Sequence, residues 1–224
     1  MLDVRLNIRR LEDFVVEIES RPVEKGKIIF YGDSSFTRWQ PKYGNVNLHD
    51  VILGSDGSKA CLNHGIGGST AEELLYYYPR LIRAYEPRAI VLQAFCNDRD
   101  VSYSASEVVY LQARLLEYAR QDFHGIKLYV CDVRPLSMFV GELCWLALGS
   151  ALREYNELIG DYCKKHDDCI LIRHAADPVF FEEGFAGDYD HPRKDIFIDD
   201  RVHYNSAGYE LYANFFRRQL KDIL

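Results

Sequence analysis

The amino-acid sequence predicts an α/β fold in which one parallel sheet carries helices on both faces. Short apolar runs alternate with longer segments of helical periodicity, which is the pattern of parallel strands joined by helical crossovers. The runs contain few polar residues, as expected for strands that are buried on both faces. The chain shows no internal repeat and no flexible linker, so we expect a single domain over residues 1–224.

The predicted elements follow one another along the whole chain. Residues 3–20 predict an amphipathic helix, because apolar side chains recur there at steps of three and four. We expect this helix, within residues 1–22, to pack on the domain. The apolar run 28–31 ends at Gly32 and predicts the first buried strand. Four further strands are predicted at 59–63, 89–95, 126–131 and 169–172.

Helix starts are marked by capping residues. Ser69 or Thr70 is followed three positions later by a glutamate, and Ser104 is followed in the same way by Glu107. This is the spacing of a capping box, in which side chains at both positions bond the backbone at the start of a helix. These two helices are predicted to run to about residues 85 and 121. Two more are predicted at 147–165 and 206–222.

Composition excludes several functional classes. The net charge is −7, which argues against a nucleic-acid partner, since such proteins present a basic face. No apolar run approaches the roughly 18 residues of a membrane helix, so we expect no membrane insertion. The charged N-terminus lacks the apolar core of a signal peptide, and the six cysteines lack zinc-type spacing. We therefore expect a cytoplasmic protein without a metal; the sequence does not indicate its oligomeric state.

Polar residues follow the predicted strands. Ser34 comes after the first strand, the glycine-rich loop 65–68 after the second, and Asn97 after the third. Asp200 and His203 stand just before the last helix. Ligands of parallel α/β sheets bind beyond the carboxyl ends of the strands, so these side chains are expected to form one site. His64, at the start of the glycine loop, is expected to be an exposed loop residue.

Each of these residue types suits ester chemistry. A serine hydroxyl becomes a good nucleophile when an imidazole accepts its proton. A carboxylate fixes the tautomer of that imidazole and stabilises the imidazolium that forms. Backbone amides and an asparagine side chain can donate hydrogen bonds to the oxyanion of the tetrahedral intermediate.

Four blocks of the sequence resemble those of the SGNH branch of the GDSL esterase/lipase superfamily, in that family's order and along essentially the whole chain. They are FYGDS at 30–34, NHGIGGST at 63–70, ND at 97–98 and DRVH at 200–203. The resemblance implies a flavodoxin-like fold, a three-layer α/β/α sandwich with a five-stranded parallel sheet, and no cofactor. It also implies a catalytic set of Ser34, Asp200 and His203 and an oxyanion hole formed by the backbone amides of Ser34 and Gly68 and the side chain of Asn97.

The sequence departs from the pattern of this family at two positions. Phe95 stands where the family usually has a glycine, and Arg201 stands where a small residue is common. Both are predicted to contact the substrate, together with Arg134 and Trp145 from the loop 134–148.

Other interpretations fit the residues less well. The loop 65–68 follows a strand as a nucleotide-binding loop does, but it lacks the third glycine and the lysine of such loops. The acidic stretch 188–200 lacks the tight spacing of a hard-cation site. Cys96 is a neighbour of the predicted site rather than its nucleophile. The sequence therefore predicts a serine esterase that hydrolyses a short-chain acyl or acetyl ester. A non-catalytic small-molecule or carbohydrate-binding module that retains the fold is the alternative, favoured by Phe95 and Arg201.

Overall fold

A computed structural model describes the backbone of residues 8–137 and 144–224 and the side chains of residues 9–137 and 149–224. In these ranges five parallel strands form one sheet in the order β2-β1-β3-β4-β5. This order is that of flavodoxin-like sheets, and it confirms the predicted α/β class. The strands are β1 (Ile28–Gly32), β2 (Cys61–Gly65), β3 (Ala89–Gln93), β4 (Lys127–Cys131) and β5 (Cys169–Ile172).

Helices cover both faces of the sheet. The first strand shows this directly, because successive side chains of a strand point to opposite faces. The ring of Phe30 contacts Phe216 of the last helix, whereas the hydroxyl of Tyr31 donates to the carbonyl of Leu74 on the opposite side. The α-helices are α1 (Glu12–Glu19), α2 (Ser34–Thr37), α3 (Leu48–Val51), α4 (Ala71–Leu81), α5 (Cys96–Asp100), α6 (Ala105–Asp122), α7 (Cys144–Lys164) and α8 (Ser206–Gln219).

The second strand begins later than the sequence predicts. Lys59 pairs with Leu53 as an isolated antiparallel bridge, and β2 extends instead through His64 to Gly65. The expectation of an exposed His64 is wrong: the side chain is 3% exposed, and its Nδ1 lies 2.7 Å from the carbonyl oxygen of Leu81. Burial lowers the pKa of His64 to about 4, so the ring is neutral in the core.

The other boundaries differ by a few residues. The predicted helix 3–20 is observed from Ile8, as a 3-10 turn followed by α1, and its first residues lie outside the described range. Helix α4 ends at Leu81 and gives way to a 3-10 turn over Arg83–Tyr85. The short helices α2, α3 and α5 have four or five residues, too few for a periodic pattern to indicate them.

An aromatic cluster holds α8 against the sheet. The indole of Trp39, fully buried, stacks on Tyr212 of α8 at 5.3 Å between ring centroids. Phe30 packs edge-on against Trp39 and Phe216. Buried aromatic pairs of this kind contribute beyond their apolar area. The cluster thereby holds α8 on the sheet, and α8 directly follows the segment that carries Asp200 and His203.

Candidate active site

Ser34 lies at the carboxyl end of β1, an inner strand of the sheet. Gly32 ends that strand, and a Cβ atom at this position would lie 2.5 Å from the carbonyl oxygen of Gln93, so only glycine fits. Asp33 is the N-cap of α2, and its Oδ1 accepts a hydrogen bond of 2.9 Å from the Ser35 amide. Ser34 is therefore the first residue of a helix, where the backbone N–H has no acceptor within the helix.

Ser34, His203 and Asp200 form a continuous chain of hydrogen bonds. The Ser34 Oγ lies 2.8 Å from His203 Nε2, and His203 Nδ1 lies 2.6 Å from Asp200 Oδ2. The other carboxylate oxygen of Asp200 accepts the backbone N–H groups of Val202 and His203, each at 2.9 Å. A carboxylate beside Nδ1 favours the tautomer that carries its proton there, which leaves Nε2 free to accept the Ser34 proton.

The surroundings keep this histidine neutral and this aspartate charged. Burial lowers the pKa of His203, and the cations Arg38 and Arg134 lower it further, against the opposing effect of Asp200. Burial on its own would raise the pKa of Asp200, but hydrogen bonds from His203 and the Val202 amide hold it below its ordinary value. At neutral pH the pair therefore consists of an acceptor imidazole and an ionised carboxylate.

Two other strand ends bring polar groups to the same edge of the sheet. The glycine loop after β2 places Gly68 at φ +77°, in the left-handed region that glycine adopts without strain. After β3, the Asn97 Nδ2 donates to the Ser69 carbonyl at 2.9 Å. An amide group has two N–H donors, so this bond orients Asn97 while leaving its second donor for another acceptor.

A buried carboxyl group connects these two loops. The Asp98 side chain is fully buried; its Oδ1 accepts the Ala71 amide at 2.8 Å, and its Oδ2 accepts the Phe95 amide at 3.0 Å. Burial raises its pKa to about 7, although both backbone hydrogen bonds oppose this. No role of Asp98 is predicted from the sequence, where only its place directly after Asn97 suggests one.

A sequence profile of the GDSL-like lipase/acylhydrolase family matches residues 30–211, a range that spans all of the strand ends described above. The chain belongs to the GDSL-like lipase/acylhydrolase family. Membership of this family implies hydrolase activity. No curated protein sequence matches the chain.

Solved structures share the fold of this GDSL-family chain at low sequence identity. A GDSL-like lipase from Bacteroides thetaiotaomicron is 16% identical, with a TM-score of 0.71 over 97% of this chain and 100% of that one. A lipase/acylhydrolase from Enterococcus faecalis is 18% identical, with a TM-score of 0.64 over 88% and 96%. An acetyl xylan esterase is also 18% identical, with a TM-score of 0.68 over 87% and 99%.

Phe95 keeps the backbone of a glycine at the position where the GDSL family usually has one. Its φ is +123°, a backbone conformation that residues other than glycine rarely adopt. The ring is 1% exposed and stacks on Tyr155 at 4.4 Å between centroids. The structure therefore places Phe95 in the core, packed on α7 and directly before α5, the helix that carries Asn97.

The remaining predicted substrate contacts occupy different environments. Arg134 is 4% exposed, and Arg201 lies on the surface at φ +59°. Arg201 borders an open cavity of about 620 Å³ with Lys194 and Ser137. The side chain of Trp145 lies outside the described residues.

Cys96 lies at the same edge of the sheet but is a poor candidate for the nucleophile. Burial raises the pKa of Cys96 to about 12, so its thiol stays protonated at neutral pH and is a poor nucleophile. Among the residues that the structure describes, no three His, Cys, Asp or Glu side chains gather as a metal site requires. Within the same residues, no helix has the length and apolar character needed to span a membrane.

Proposed function

We propose that the protein is a serine esterase that hydrolyses a short-chain acyl or acetyl ester through an acyl-serine intermediate. One observation carries the proposal: the chain of hydrogen bonds from Ser34 to His203 to Asp200, at 2.8 and 2.6 Å. Three residues from two distant segments meet at hydrogen-bond distance, in the arrangement that serine hydrolases use on unrelated folds. Family membership independently implies hydrolysis.

The first half of the reaction acylates Ser34. His203 Nε2 accepts the hydroxyl proton while Ser34 Oγ bonds to the ester carbonyl carbon, whose π electrons move onto oxygen. The intermediate collapses, the bond to the alcohol oxygen breaks, and the proton on Nε2 passes to that leaving oxygen. Asp200 stabilises the imidazolium throughout and keeps its own charge.

The second half releases the acid. A water molecule gives its proton to His203 Nε2 and bonds to the acyl carbon, and the Ser34–acyl bond then breaks with the proton returning to Ser34. In both halves the oxyanion accepts hydrogen bonds from the backbone amides of Ser34 and Gly68 and from the Asn97 side chain. Each such donor is worth about 2.7–4 kcal/mol in the transition state.

Buried side chains beneath the nucleophile favour a short acyl group. Ser35 adjoins Ser34 in the chain and bonds Arg134 at 3.0 Å, and both side chains are under 5% exposed, which indicates close packing on that side of Ser34. One of the proteins with a similar fold is an acetyl xylan esterase, which is compatible with an acetyl group on a carbohydrate alcohol.

An active-site probe tests the assignment. A fluorophosphonate should label the wild-type protein and spare Ser34→Ala, while Ser35→Ala should still be labelled. p-Nitrophenyl esters from acetate to decanoate should be hydrolysed with rates that fall as the chain lengthens, with Ser34→Ala as the blank. Labelling that persists in Ser34→Ala would exclude Ser34 as the nucleophile, and a folded wild type that neither reacts nor hydrolyses would exclude the esterase.

The second candidate is a non-catalytic binding module that retains the fold. Phe95 and Arg201 favour it, because they replace small residues in the two loops next to the site. Both residues nevertheless take the positive φ angles that such small residues would adopt, which favours intact loop geometry and hence catalysis. Ester hydrolysis that is lost in His203→Ala would contradict the binding module.

A further inference from the structure

A buried arginine joins the two loops that carry Ser34 and His203. Arg134 follows β4, and its Nε donates to the Ser35 Oγ at 3.0 Å. Its Nη2 donates to the carbonyl oxygen of Val202 at 2.6 Å. Ser35 adjoins Ser34 in the chain and Val202 adjoins His203, so one guanidinium bonds the immediate neighbour of each partner.

We propose that Arg134 is a positioning residue, which holds Ser34 and His203 at bonding distance and places a fixed positive charge beneath them. This inference rests on the proposed esterase function and deepens it. It also gives Arg134 a role other than the direct substrate contact that the sequence predicts, since the side chain is 4% exposed.

The geometry requires a guanidinium rather than any long side chain. The planar group presents N–H donors in fixed directions, and here two of them reach acceptors on different segments. Its central carbon also lies 4.7 Å from the centroid of the Tyr204 ring, within the range of a cation–π interaction. A lysine ammonium is a single point of charge and cannot span both acceptors in the same way.

The Arg134 charge is buried without a direct ion pair among the described residues, although Asp33 favours its charged form. Among the described residues Arg134 forms no ion pair, and its Nη1 is buried without a hydrogen-bond partner. Burying a charge without a direct ion pair is unfavourable. A role in positioning Ser34 and His203 therefore explains the buried Arg134 better than packing does.

The Arg134 guanidinium lies where its positive charge acts on His203. Three charged groups face His203 from the elements around it: Asp200 on its own loop, Arg38 after α2, and Arg134 after β4. A nearby cation disfavours the protonated imidazole, so Arg134 helps to keep His203 ready to accept the Ser34 proton. The same charge favours the anion that develops on the substrate carbonyl.

The test compares Arg134→Met and Arg134→Lys with the wild type in the kcat/KM–pH profile for p-nitrophenyl acetate. Arg134→Met should lower kcat about 100-fold, the loss typical of a misplacement of roughly 1 Å. The acid limb of its profile should move to higher pH, because removal of a cation raises the pKa of His203. Arg134→Lys should lose activity but keep its acid limb at the wild-type pH, since it retains the charge.

Two further variants separate the positioning role of Arg134 from a general effect on stability. Arg120→Met removes a partly buried arginine that bonds Asp168 and Tyr162 away from the site, and it should leave the pH profile unchanged. Ser35→Ala removes one bond of Arg134 without touching the charge, and it should lower kcat several-fold with an unmoved acid limb. If Arg134→Met does not fold, Arg134→Lys and Ser35→Ala decide the matter.

The outcomes separate this proposal from the esterase assignment. A wild type without hydrolysis overturns the proposed function. A wild type that hydrolyses the ester, with Arg134 variants that match it in kcat and in the acid limb, overturns only the role of Arg134. Equal losses in Arg134→Lys and Arg134→Met, with no shift of the limb in either, would reduce Arg134 to a packing residue.

Discussion

Two residues in the loops of the candidate site adopt strained backbone conformations. Phe95 and Arg201 both have positive φ angles, and a residue other than glycine in such a conformation costs about 1–3 kcal/mol. Phe95 lies two positions before Asn97, and Arg201 lies two before His203. For Phe95 the structure shows the compensation, because the ring is buried and stacked on Tyr155.

Replacing Phe95 by alanine and, in a second variant, by glycine distinguishes backbone strain from loss of side-chain packing. Both Phe95→Ala and Phe95→Gly lose the buried ring, a change that costs about 3–5 kcal/mol. Only glycine relieves the φ of +123°, so Phe95→Gly should be the more stable of the two by about 1 kcal/mol. This reverses the usual order, in which alanine is favoured. Urea unfolding of both variants measures the difference, and an alanine variant as stable as the glycine variant would show that the backbone is not strained.

At the scale of elements, short helices at strand ends aim the side chains of the site. The capping boxes at Thr70 and Ser104 are present as the sequence predicts, because their partners lie three residues apart and need no tertiary context. Helices α2 and α5, which begin at Ser34 and Cys96, were not predictable from periodicity. The shifted β2 has a physical cause too, since the burial of His64 against Leu81 is a tertiary contact.

Asp98 links the starts of α4 and α5 through its hydrogen bonds. Its carboxyl group changes charge near neutral pH. Its folded-state pKa of about 7 lies above the ordinary 3.8, so the folded protein binds this proton more tightly than the unfolded chain does. Its contribution to the free energy of unfolding is therefore complete below about pH 4 and is lost as the pH rises through 7. The full span is on the order of 4 kcal/mol, at 1.36 kcal/mol per pKa unit.

Asp98→Asn isolates this contribution. Asparagine has a single acceptor oxygen, so either the Ala71 or the Phe95 amide loses its partner and the variant is less stable. The stability advantage of the wild type should be larger at pH 4.5 than at pH 7.5, as measured by urea unfolding. Asp161→Asn is the control, because Lys164 lowers the pKa of that exposed carboxyl group and any trend should have the opposite sign. A wild-type advantage that grows with pH would show that Asp98 is ionised throughout.

Over the whole molecule, the alternation of runs along the chain predicts a parallel sheet but not the order of its strands. The flavodoxin-like order came from the resemblance of four short blocks, and the structure confirms it. The same blocks predict which strand ends supply the candidate site. They do not indicate Arg134, whose acceptors Ser35 and Val202 lie 99 and 68 residues away. Contacts at such separation depend on packing that no local pattern records.

The N-terminal segment also reaches the candidate site, through the glycine loop. Arg10 Nη2 donates to the Gly68 carbonyl at 2.6 Å and to Glu73 Oε2 at 2.8 Å. Glu73 is fully buried and also accepts the Thr70 amide at 3.0 Å. The ring of Phe14 lies against Gly67, 3.4 Å from the point where a Cβ would stand. Residues before β1 therefore hold the loop that would present the Gly68 amide to an oxyanion.

Two arginines of this segment provide a matched comparison. Arg10→Met should lower kcat for p-nitrophenyl acetate about tenfold and change KM little, because a displaced Gly68 amide loses part of the roughly 2.7–4 kcal/mol that one oxyanion donor contributes. Arg21 also donates to a backbone carbonyl, that of Asn63 on the edge strand at 3.2 Å, but it does not touch the glycine loop. Arg21→Met should therefore keep kcat within about twofold of the wild type. Equal losses in the two variants would show that the segment supports stability in general, whereas a loss confined to Arg10→Met would tie it to the oxyanion loop.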